Sequence, residues 1–236
     1  VAFELTEIVP WGRSFDEYVA MFGLTQDDLG KKILCSADGP ASFNAGMKKQ
    51  GLRAISCDPI YQFSAAEIKV RIDACFPDVI KHALSNKDSY VWKNIASIDD
   101  LGRIRMQSMN EFLADFEEGK REGRYIPYSL PALSFKDGSF DIALCSHFLF
   151  LYSAHLTFEF HLESVIEMCR VAGETRIFPL LNLDGKVSPY LEPLVAELNK
   201  KGYETEIRKV GYEFQRGGDE MLRIKAKVDQ REVYQK

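Results

Sequence analysis

Residues 33–58 read ILCSADGPASFNAGMKKQGLRAISCD, and this stretch decides the fold. The apolar pair Ile33-Leu34 opens a short strand that runs into a loop of small residues, Ser36-Ala37-Asp38-Gly39-Pro40-Ala41-Ser42. Phe43 and Met47 then stand one helical turn apart, and Gly51 takes the place of the left-handed residue that ends a helix. A second apolar run ends in an acid, Asp58, about twenty residues beyond the loop. Strand, tight loop, helix, strand and terminal acid are the parts of a nucleoside-binding βαβ unit. Small residues let the backbone approach a ligand, the helix N-terminus faces it, and the strand-end carboxylate accepts hydrogen bonds from ribose hydroxyls.

The chain has 236 residues, enough for one large α/β domain, and no stretch reads as a linker, so residues 1–236 are expected to form a single domain. Its net charge of −5 arises from mixed acids and bases with no basic block, which argues against nucleic acid as the main partner. No apolar run approaches the roughly 18 residues of a membrane span; the strongest is Phe148-Leu149-Phe150-Leu151. VAFELTEIVPW at the N-terminus lacks the basic and apolar regions of a secretory signal, so a cytoplasmic location is expected. The five cysteines (Cys35, Cys57, Cys75, Cys145, Cys169) are scattered without a CxxC pair, which predicts reduced thiols and no metal. Composition leaves the oligomeric state open.

Residues 1–30 read as a helical prelude, with Phe15, Val19 and Phe22 on one face and Gly30 closing it. Beyond Asp58, the segment from Tyr61 to Gly123 is longer than a crossover requires. Ser64-Ala65-Ala66-Glu67 is a capping box opening a helix with Ile68, Ile72, Phe76 and Ile80, which Pro77 should kink or restart. Ser97-Ile98-Asp99-Asp100 opens another, with Leu101, Ile104, Phe112, Leu113 and Phe116. This helical insertion, residues 61–123, is expected to act as a lid over the site. Strands are predicted from Arg124 to Ser129, Phe140 to Cys145 and Arg176 to Leu181, with a helix from Thr157 to Arg170 stopped by Gly173. Ser188-Pro189 opens a helix running to Gly202. Tyr203 to Val210 and Met221 to Val228, joined directly through Arg216-Gly217-Gly218, must pair antiparallel. The expected fold is a doubly wound, Rossmann-like α/β sheet of seven strands with a terminal antiparallel pair and a helical insertion.

With these motifs, the chain resembles the class I S-adenosylmethionine-dependent methyltransferases over roughly Gly30 to Val228. ILCSADGPA lies on the family's hh(D/E)hGxGxG loop, followed by the acid-ended strand AISCD. LPALSFKDGSFDIALCSHFLF is similar to the family's passage into its fourth strand, and ESVIEMCRVAGETRIFPL to the helix before its fifth. The chain departs from the family at Ala37 and Ala41, which stand for the first and third loop glycines, and at Cys35, which stands for the strand acid.

The resemblance implies S-adenosylmethionine as cofactor and methyl transfer to a small organic acceptor. It implies contacts from Ala37, Asp38 and Gly39 in the loop and from Asp58, with Pro59 beside it, to the ribose. Ser129 and Leu130 fall where the family flanks the adenine, and Arg13 and Tyr18 can reach the methionine carboxylate if the prelude folds over the pocket. Cys145 and Ser146, further cofactor contacts on this resemblance, lead out of the fourth strand to His147, the candidate general base. His161 reads as structural or solvated, and the Phe148, Phe150, Phe158 and Phe160 group as core. The altered loop leaves a non-catalytic binding module on the same fold as the alternative. A nicotinamide dehydrogenase fits less well, because GxGxxG is absent.

Overall fold

A computed structural model describes residues 8–226. The stretch from 33 to 58 folds as its pattern dictates. Strand β1 (Ile33–Ser36) is buried along its length, helix α3 (Phe43–Lys49) follows the loop, and β2 (Ala54–Cys57) pairs parallel with β1. Gly51 has φ +73°, the left-handed turn between helix and strand. Strands β3 (Tyr125–Ile126), β4 (Phe140–Ser146) and β5 (Ala172–Phe178) extend the parallel sheet, and β6 (Tyr203–Lys209) and β7 (Glu220–Ala226) close it as an antiparallel pair. The order is β3-β2-β1-β4-β5-β7-β6, with β7 antiparallel to β5. This is the seven-stranded arrangement expected from the sequence.

Alternation along the strands divides the core between two faces of the sheet. Leu34, Ala143, Cys145 and Ile177 pack with α6 (Phe158–Val171) and α7 (Leu191–Lys200). Ile33, Cys35, Ile142 and Leu144 pack with α1 (Phe15–Phe22), α2 (Gln26–Leu29) and α3. Helices therefore cover both faces, as a parallel sheet of near-continuous apolar strands requires. A third cluster joins α4 (Ala65–Ser85) and α5 (Ile98–Arg121) through Ile68, Ile72, Met109, Phe112 and Phe116 to Tyr61 and Tyr125.

Several boundaries differ from the sequence expectation. The prelude is two short helices divided at Gly23, where φ is +54°, and the chain from residue 8 to 14 is not helical; residues 1–7 lie outside the described range. Pro77 does not restart α4: both Pro77 and Asp73, whose carbonyl it leaves without an N–H partner, are exposed, so water can satisfy that oxygen. Gly173 does not stop α6; the chain passes from helix to strand at Ala172, which already pairs with Phe140. Strand β3 is shorter than predicted, β5 ends at Phe178, α7 begins at Leu191, and 227–228 of the last predicted strand lie outside the described residues.

Candidate ligand-binding site

Where β1, β2 and β4 end, the loops part around a cavity of about 840 Å³. A crevice at the carboxyl ends of parallel strands, beside the point where strand order reverses, is where open α/β sheets bind ligands. Arg13, Tyr18, Ala37, Asp38, Gly39, Asp58, Pro59, Ser129, Leu130, Ser146 and His147 all line it. Cys145 does not. It is fully buried against the α6–α7 face, because strand alternation sends Cys145 and Ser146 to opposite sides.

The loop is held from several directions. Asp58 accepts from the Gly39 N–H at 3.0 Å and the Ile60 N–H at 2.8 Å, and the Tyr61 hydroxyl donates to the Gly39 carbonyl at 2.7 Å. Ala37 and Gly39 both take φ +52°; the alanine stores about 1–2 kcal/mol of backbone strain where the resembling family carries glycine. Ala41 has no positive φ, so its methyl is tolerated and buried. A Cβ on Gly39 would meet nothing within 4 Å, which leaves open space against the loop.

Asp38 is 6% exposed, and its Oδ1 accepts a short hydrogen bond from the Tyr18 hydroxyl. Its Oδ2 is buried without a hydrogen-bond partner. Burial raises its pKa to about 7, with the Tyr18 bond and the Ser56 hydroxyl pulling down and Asp58 pushing up. Asp58 is also raised by burial, against the pull of the Ile60 and Gly39 N–H groups.

Two buried arginines, Arg13 and Arg105, also line the cavity. Arg105, 1% exposed, pairs with Glu17 at 2.6 Å, and Tyr212 donates to Glu17 at 2.8 Å. Arg13 donates to the Trp11 carbonyl at 2.9 Å, and burial beside Arg105 lowers it to about 10. His147, at φ +51°, turns from β4 into the cavity with Nδ1 2.9 Å from Ser146 Oγ. Burial, then Arg13 and Arg105, hold its pKa well below the ordinary imidazole value. Residues Ile8 to Trp11 and the α4 side chains Arg71, Cys75, Val79 and His82 complete the walls. His161 is structural: its ring nitrogens lie 2.7 and 2.8 Å from the Thr157 and Leu149 carbonyls.

Sequence reasoning missed Glu17 and Arg105, and gave the 61–123 insertion as a lid without singling out the α4 side chains that line the cavity. Arg105 carried a signal, since it falls on the buried stripe of α5 between Leu101 and Met109, where a charge needs a reason. Tyr212 carried none, because only tertiary packing brings the β6–β7 connection to α1.

No known family profile matches the sequence. Among solved structures, the chain is similar to magnesium protoporphyrin IX methyltransferase (ChlM) from Synechocystis PCC 6803 with bound SAM, at 12% identity and TM-score 0.47, over 90% of this chain and 78% of that one. It is similar also to a TehB-like SAM-dependent methyltransferase from Corynebacterium glutamicum, at 14% identity and TM-score 0.44, over 84% and 80%. In sequence, it is 36% identical over 222 residues to the uncharacterized protein MJ0045 of Methanocaldococcus jannaschii, covering 94% of this chain and 97% of the relative. The chain thus belongs to the family of that archaeal protein, built on a seven-stranded sheet of order β3-β2-β1-β4-β5-β7-β6.

Proposed function

We propose that this protein transfers a methyl group from S-adenosylmethionine to a small organic acceptor. The observation that carries the reading is convergence: the loop 36–42, Asp58, Ser129-Leu130 and the β4 exit, distant in sequence, meet at one cavity. The residues fit the cofactor on three counts: open space over Gly39, a strand-end carboxylate at Asp58, and a buried Asp38 oxygen lacking a partner.

Bound there, S-adenosylmethionine supplies an electrophilic methyl on its sulfonium. Asp58 would accept the ribose hydroxyls with the lone pairs its backbone donors leave free, Ser129 and Leu130 would flank the adenine, and Arg13 would take the methionine carboxylate. Tyr18 acts from beneath, holding Asp38 rather than touching the ligand's far end. Methyl transfer is an in-line displacement, so the chain's main work is positioning and excluding water. The α4 wall and residues 8–11 are suited to that, and they form the lid that selects the acceptor. His147, unprotonated at neutral pH, would face the acceptor atom. The alternative, a binding module without turnover, is favoured by the strained Ala37 in the loop.

Calorimetric titration tests the proposal. The protein should bind S-adenosylhomocysteine, and Asp58→Ala should weaken binding by about 1.5–3 kcal/mol, the cost of losing charged hydrogen bonds. Unchanged affinity in the variant removes Asp58 from the site. Binding without methyl transfer to any small acceptor favours the module.

A further inference from the structure

The Asp38 carboxylate is buried at the cavity wall with no counter-ion among the described residues. The groups around it come from every neighbouring element: Tyr18 on α1, Cys35 on β1, Ser56 and Cys57 on β2, Asp58 and Tyr61 after it, Tyr125 on β3 and Cys145 on β4. Each is an acid, a phenol, a thiol or a hydroxyl, and among the described residues no arginine, lysine or histidine acts on this carboxylate. Of the arginines that line the cavity, Arg105 is paired with Glu17, Arg13 lies beside it and Arg71 stacks over Phe63, and none of the three acts on Asp38. A buried carboxylate ordinarily has a paired cation, and an unpaired one strongly disfavours its own ionisation. Here one oxygen is fixed by Tyr18, and the other, Oδ2, is buried without a formed hydrogen bond, the neutral Ser56 hydroxyl being the only other described group that favours the anion.

We propose that Asp38 is the counter-ion site for a cationic group of the ligand, so that binding of the charged ligand ionises Asp38. This inference rests on the S-adenosylmethionine reading above. Two groups share the required chemistry: the sulfonium, present only in the methyl donor, and the α-ammonium, present in donor and product alike. If the sulfonium is the cation, transfer of its methyl removes the positive charge, leaves Asp38 unpaired and loosens the product.

The test is calorimetric titration of the wild-type protein and of Asp38→Asn with S-adenosylmethionine and S-adenosylhomocysteine between pH 6 and 8. Because Asp38 of the empty site titrates at about 7, wild-type affinity for the donor should rise about tenfold across this range. In Asp38→Asn that rise should vanish, and donor affinity at pH 8 should fall about 10–100-fold, as loss of a charged partner predicts. Circular dichroism of the variant verifies its fold, and the wild-type pH profile stands independently of it. A flat profile and unchanged affinity for the product identify the sulfonium; parallel losses for both ligands identify the ammonium. Donor binding with the same pH profile and affinity in both proteins overturns the counter-ion role while leaving the functional reading in place. Failure of the wild type to bind either nucleoside overturns both.

Discussion

At the scale of single residues, the site is built from groups held away from their ordinary behaviour. Ala37 and His147 both take positive φ, and both line the cavity. Histidine tolerates the left-handed region better than most residues, and at the end of β4 that geometry turns the ring out of the strand line. Its proton affinity is depressed by burial and by Arg13 and Arg105, so it stays neutral near pH 7 and is a weak proton acceptor. His147→Ala should therefore lower methyl-transfer turnover by about 10²-fold, the lower end of general-base effects, while S-adenosylhomocysteine affinity stays nearly intact. Steady-state kinetics beside calorimetry checks this; turnover and affinity falling together would mark His147 as a scaffold residue.

At the scale of elements, the decisive contact is that of the N-terminal segment with the loop. The Ser42 N–H donates to the Arg13 carbonyl at 3.0 Å, and Gly12 passes so close that an added Cβ would lie 1.9 Å from the Pro40 carbonyl oxygen. Backbone against backbone cannot yield as a flexible side chain can, so glycine is required there. The segment carries Ile8 to Trp11 and Arg13 to the cavity wall. Gly12→Ala should displace it and weaken S-adenosylhomocysteine binding at least about tenfold, with a cost in stability of about 1–3 kcal/mol typical of overpacking. Gly211→Ala, whose added Cβ meets nothing within 4 Å, is the matched control. Equal affinity in both variants would separate the segment from binding. Helix α5 shows a second division of labour: Leu101 and Arg105 face the cavity, while Phe112 and Phe116 pack with Tyr125 as an ordinary crossover helix does.

At the scale of the whole molecule, buried charge makes stability depend on pH from both sides. Burial would raise Glu17, but the Arg105 charge and hydrogen bond carry it down to about 2. Burial likewise opposes, and the Arg223 and Arg176 bonds overcome, at Glu174, also about 2. These depressed acids stabilise the fold above their unfolded pKa near 4, and the contribution is lost as pH falls toward 2. Asp38 acts in the opposite sense. Raised to about 7, it leaves the fold most stable below about pH 4, and that advantage is lost as pH climbs through 7. The ligand-free protein should thus be most stable near pH 5, roughly between these windows. Asp38→Asn should remove most of the decline between about pH 4 and 7, leaving the share of the raised Asp58, and should raise stability at pH 8 by about 2–4 kcal/mol. Thermal unfolding across pH 3–9 reads both effects; a decline between pH 4 and 7 undiminished in Asp38→Asn would assign it to another group.

The sequence by itself determined the elements and their order. Apolar runs such as Phe140 to Cys145 can only be buried strands, the Ser64 and Ser97 caps open helices where they stand, and a direct join forces β6 and β7 antiparallel. It also marked the positions that gather at the cavity, because strand ends and loops are local features. Tertiary structure alone decided which side of a strand end a residue faces, as at Cys145 and Ser146, and which charges meet. The pairing of Arg105 with Glu17, and the isolation of Asp38 from the cations of the described residues, depend on groups far apart in the chain. Electrostatic energy is set by distance and burial in the folded molecule, and neither is a local property of sequence.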